Sequence, residues 1–141
     1  MTLLIIAAIF NFIIAVGHLS CLFSLDFVFR LYGIDGTMSE IASYGQALPY
    51  ILTVVIALLF TLAGLYALAA AGKLKIKLPL VRLAIWVIAA VFLSRALIGI
   101  AWLIAGFTTL ELTSTLISGI VGTLYLIGGL RTMKNRPRHC Q

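Results

Sequence analysis

Residues 79–105 read PLVRLAIWVIAAVFLSRALIGIAWLIA, and the fold turns on this stretch. From Val81 onward only Arg82, Ser94 and Arg95 are polar. A helix crosses roughly 30 Å of hydrocarbon with about 20 predominantly apolar residues, so the stretch is long enough to span a bilayer. It then holds a fixed positive charge in its interior. Arg95 is thirteen positions beyond Arg82, about 20 Å at 1.5 Å per residue, which puts it in the outer half of the bilayer if Arg82 marks the cytoplasmic interface.

The remainder of the chain has the same character. Of its 141 residues 63% are hydrophobic and 10% charged, and the mean hydropathy is +1.20, outside the range of a soluble globular domain. The net charge of +6 does not point to nucleic acid, because the basic residues flank apolar segments instead of lining one face of a soluble fold. Apolar runs cover 3–25, 47–71, 79–105 and 110–130. These predict an all-α integral membrane four-helix bundle in a single domain, with an outer loop at 26–46 and a tail at 131–141.

Local signals refine the boundaries. Pro49 and Pro79 suit first helical turns, where a missing N–H costs nothing, and Gly72 suits a helix end. Thr37 and Glu40 have the spacing of a capping box for a short helix over Met38 to Tyr44. No Lys or Arg precedes the first apolar run, and that run outlasts the apolar part of a signal peptide, so a retained helix is expected.

Charge sets the orientation. Lys73, Lys75, Lys77 and Arg82 lie around the second connection, and Arg131, Lys134, Arg136 and Arg138 follow the fourth segment. The positive-inside rule places these on the cytoplasmic side, and both termini with them. Asp26, Asp35, Glu40, Glu111 and Arg30 fall on the other side. Cys21 and Cys140 then lie near opposite faces and cannot form a disulfide within one chain.

An arginine at depth should face protein or water, since leaving it in lipid costs at least ~2.5 kcal/mol. Two arrangements are open for Arg95. It can pair with Glu111 across the short connection "GFTT", with Asp26 the other nearby acid, or it can stay partly unpaired until an anionic or strongly polar ligand completes the site. Depth arithmetic brings His18, Thr53 or Ala57, Arg95 and Ser118 to a common layer, with Asn11 two turns below His18. Asn11, Ala15, His18 and Cys21 share one helix face, as do Thr53, Ala57, Thr61, Gly64 and Ala71; Ser114, Ser118 and Gly122 recur every four residues. Small residues at such intervals allow close helix approach within one bundle or between two copies.

Catalytic signatures are missing: the sequence has no GxxxxGK[ST], HExxH, CxxC or GxSxG, and Ser94 has no identifiable base. His18 and Cys21 alone do not complete a metal site, and His139 on the cytoplasmic side cannot join His18 around a haem, so neither metal nor cofactor is expected. Trp86, Trp102, Tyr50 and Tyr125 read as interface anchors or packing residues.

The pieces "AVGHLSC", "FRLYG" and "LPLVR" together resemble small uncharacterised bacterial inner-membrane proteins with four spans. The resemblance implies a fold and a bacterial inner membrane, and carries no activity. The first segment lacks the acidic residue of small multidrug exporters, which argues against proton-coupled drug export.

The leading expectation is a non-enzymatic inner-membrane protein with an outward-facing polar pocket, lined by His18, Arg95, Ser118, Asn11 and Thr53, that binds or helps move a small polar or anionic solute. The alternative is an interaction protein that contacts another membrane protein through Phe29, Arg30 and Tyr32, as an immunity protein against a pore-forming toxin would. A small redox or lipid-modifying membrane enzyme is the third reading. Membrane lipid is the partner common to all three.

Overall fold

The computed structural model describes residues 1–33, 35–75, 78–106 and 109–134, without the side chains of Asp26, Tyr32, Asp35, Met133 and Lys134. Six helices follow in order: α1 (Thr2–Cys21), α2 (Leu25–Tyr32), α3 (Asp35–Tyr44), α4 (Leu48–Ala70), α5 (Val81–Ala105) and α6 (Thr109–Lys134). No strand occurs among the described residues. Helices α1, α4, α5 and α6 are each long and apolar enough to cross a membrane, and only 22 to 28% of each apolar window is buried. In water so much exposed apolar surface would drive association; around a membrane span it faces lipid.

Two boundaries differ from the sequence reading. The first span stops at Cys21 instead of continuing to residue 25, because the chain tightens there: Leu22, Phe23 and Ser24 donate N–H bonds to Leu19, Ser20 and Cys21, three residues back instead of four. The segment 26–46 is largely helical and not a loop. α3 begins at Asp35, so Thr37 lies inside the helix and the Thr37–Glu40 pair does not start it. α2 ends at Gly33, which takes the left-handed conformation (φ 66°) that glycine adopts without a Cβ penalty.

The end of α4 follows a Schellman pattern. Gly72 has φ 71°, and Gly72 and Lys73 donate N–H bonds to Ala69 (3.0 Å) and Leu68 (2.9 Å), capping carbonyls that the helix leaves open. Pro79 is not in the first turn of α5. It precedes Leu80, whose φ of 50° breaks the helical run, so helical geometry begins at Val81.

The described chain forms two compact units: Met1–Phe10 with Ala63–Gln141, and Asn11–Leu62. In the first, α5 and α6 form an antiparallel hairpin. Its contacts step in opposite directions along the two helices, from Gly99 with Thr115, through Ala96 with Gly119 and Leu93 with Gly122, to Ile85 with Gly129. The buried positions of α5 are Ile85, Ala89, Phe92, Ala96 and Gly99. Alternating steps of four and three give the 3.5-residue period of left-handed packing. The beginning of α1 joins the end of α6 where Leu4 rests on Gly128, leaving no room for a Cβ.

In the second unit, Asn11, Ala15, Leu25, Thr53 and Ala57 are buried. Ile13 and Val16, on the opposite side of α1, are 63% and 62% exposed. The small and polar stripes legible in the sequence are therefore the covered faces of α1 and α4, and the bulky apolar residues point outward, the reverse of a water-soluble helix.

Candidate functional site

The polar centre of the first unit lies toward the connected end of the α5–α6 hairpin. Glu111 is in the first turn of α6, where the helix dipole favours a carboxylate. Arg95, sixteen residues earlier on α5, reaches it with two bonds, Nη1 to Oε1 at 2.9 Å and Nη2 to Oε2 at 3.2 Å. Nη2 also donates to Ser114 Oγ at 3.0 Å, and Thr115 donates to Glu111 Oε1 at 3.4 Å. Fork-to-fork pairing fixes both side chains and neutralises the charge.

This cluster depends on Gly99. A Cβ built there would overlap Thr115 Oγ1 and stand 2.8 Å from Arg95 Nη1 and 3.0 Å from Glu111 Oε1. The missing side chain thus makes room for the ion pair between the helices. The pair is only partly covered, with 41% of the Arg95 side chain and 26% of the Glu111 side chain exposed. Glu111 also belongs to the wall of an open cleft of about 290 Å³, together with Trp102, Ala105 and Gly106.

The other anticipated residues divide between the two units. Ser118 is buried on α6, one turn beyond the Ser114 and Thr115 hydroxyls. His18, Asn11 and Thr53 belong to the second unit. There His18 Nδ1 donates to Ile14 O at 2.9 Å, and its ring lies 5.3 Å from that of Phe60. Thr53 Oγ1 donates to Pro49 O at 2.9 Å, so each of these two spends a donor on its own helix backbone. Asn11 is completely buried. Phe29 is half-buried and Arg30 exposed. The side chains of Asp26 and Tyr32, and the basic tail from Asn135 to Gln141, lie outside the described residues. Among the described residues no three of His, Cys, Asp and Glu cluster as metal ligands.

Gly99, Ser114 and Thr115 were not singled out as site residues by their sequence, although the signal is present: Gly99 follows Arg95 by four, and Ser114 and Thr115 follow Glu111 by three and four. Tyr125 resolves as a packing residue and not an interface anchor. It is fully buried, donates to Ala63 O at 2.8 Å and stacks near Phe92 with centroids 6.1 Å apart. Trp86, Trp102 and Tyr50 are exposed. No family model matches the chain, and no curated protein or solved structure matches it.

Proposed function

We propose that the chain is a non-enzymatic four-span protein of a bacterial-type inner membrane, with both termini cytoplasmic, and that the outer end of its α5–α6 hairpin binds a small polar solute. The exposed basic residues Lys73, Lys75, Arg82 and Arg131 at the ends of α4, α5 and α6 support the orientation. The observation that carries the solute reading is the Arg95–Glu111 pair, which stays partly exposed despite its mutual bonds and has its acidic member in the wall of the cleft.

A pure anion meets repulsion from Glu111 as well as attraction to Arg95. A zwitterion suits both members: its anionic end shares the Arg95 guanidinium, and its cationic end lies toward Glu111 and the face of Trp102. The test is equilibrium binding to the protein in lipid nanodiscs with three related probes: glycine betaine, acetate and tetramethylammonium. Saturable binding of betaine alone, abolished by Arg95→Leu in a protein that remains folded, is the expected result. Betaine binding that survives this substitution, or no saturable binding of any probe, would remove the solute reading.

A further inference from the structure

The second unit contains an apolar surface that the solute site does not use. α2 is eight residues long, and it turns Leu25 inward, 4% exposed, while Phe27 and Leu31 are 67% and 53% exposed and Phe23, just before the helix, is 92% exposed. Phe27 and Leu31 are four residues apart and fall on one side of α2, and Phe23 stands in the turn just before the helix. Arg30, also exposed, borders that side. An eight-residue segment with one apolar side turned inward and another turned outward would be a poor element in water.

Its tethers decide its surroundings. Only Leu22, Phe23 and Ser24 separate α2 from the end of the α1 span, and only Gly45, Gln46 and Ala47 separate α3 from the start of the α4 span. Three residues bridge at most about 14 Å between the flanking Cα atoms even when fully extended, and the first connection is tightened by hydrogen bonds three residues back. The α2–α3 segment is thereby pinned at both ends to helices long and apolar enough to cross the membrane. Ile13, Val16 and Leu19 are exposed on α1, and Phe23 is exposed in the turn that follows it. Tyr44 and Tyr50, 84% and 51% exposed, flank the return to α4, as aromatic residues do at a bilayer boundary.

We infer that α2 is a membrane-interface helix, with Phe23, Phe27 and Leu31 entering the acyl boundary of the leaflet at which α1 ends and Arg30 reaching the lipid phosphates. The inference rests on the four-span reading. It gives the exposed apolar face one occupant, the lipid surface.

Spin labels test it in a background with Cys21→Ser and Cys140→Ser. Single cysteines replace Phe27 and Leu31 in α2, Ile13 in the α1 span and Glu40 in α3, and each labelled protein is placed in 3:1 phosphatidylcholine/phosphatidylglycerol vesicles. Collision with oxygen, which concentrates in hydrocarbon, is compared with collision with a water-soluble nickel chelate. Labels at positions 27 and 31 should favour oxygen, as at 13, while the label at 40 favours nickel. Nickel access at both 27 and 31, with 13 still oxygen-exposed, would overturn the interface helix and leave the spans standing. Exclusion of both reagents from 27 and 31 would overturn it in favour of a protein partner or second copy covering this face. Nickel access at 13 would overturn the spanning reading itself.

Discussion

Arg95 and Glu111 stand sixteen residues apart and close the α5–α6 hairpin from within, joined by two hydrogen bonds of 2.9 and 3.2 Å. Each satisfies a charge that the other's loss would strand. Arg95→Leu should therefore lower stability by about 1–3 kcal/mol, below the ~3–5 kcal/mol of a fully buried pair because both side chains remain partly exposed. The double variant Arg95→Leu/Glu111→Leu should recover most of that loss. Thermal unfolding in identical nanodiscs measures both; a double variant no more stable than the single would show that the pair is not coupled.

Close helix approach makes a second prediction. Gly99→Ala places a methyl group against Thr115 and the ion pair, and Gly122→Ala places one 2.9 Å from the Leu93 side chain and 3.1 Å from its backbone nitrogen. Each should destabilise by about 1–3 kcal/mol. At Gly119 the nearest atom, Ala96 Cβ, is 3.8 Å away, and at Gly17 nothing lies within 4 Å. Alanine at either should be neutral or stabilise by up to ~1 kcal/mol through helix propensity. Equal losses at all four sites, measured by unfolding in the same lipid, would contradict the hairpin packing.

Tyr125→Phe keeps the ring beside Phe92 and removes the hydroxyl that donates to Ala63 O. A loss of about 1–2 kcal/mol is expected. Tyr125→Ala also leaves a cavity and should cost about 3–5 kcal/mol. Comparable stability of the two variants would mean that the ring contributes little to packing.

Topology is open to direct measurement. A reporter fused after residue 141 should be active only in its cytoplasmic form, and one inserted at Gln46 only in its external form. Replacing Lys73, Lys75 and Lys77 with glutamine weakens the positive-inside signal and should produce a mixed population. An external carboxyl-terminal reporter in the unmodified chain would reverse the orientation.

The spans were legible because crossing hydrocarbon requires long apolar runs, and their ends came within a few residues wherever a glycine or a charge marked them. Gly72 is such a mark; Cys21 is not, since no residue type announces the tightened turn after it. The covered faces at Asn11, Ala15 and Ala57 were legible too, because small and polar side chains are the ones that pack inside a membrane. α2 was hidden by its shortness, which leaves too few turns for a periodic pattern.

What the sequence determined by itself is the set of membrane-length helices, the clustering of basic charge around their ends, and the need for some partner at Arg95, since each follows from the cost of placing polar groups in hydrocarbon. The sequence offered Glu111, Asp26 or an external ligand, and the tertiary structure chose Glu111. Glu111 and Ser114 meet Arg95, and Thr115 bonds Glu111, because Gly99 lets α5 and α6 approach without an intervening Cβ, and such closeness depends on how two helices face each other, which neither helix specifies alone.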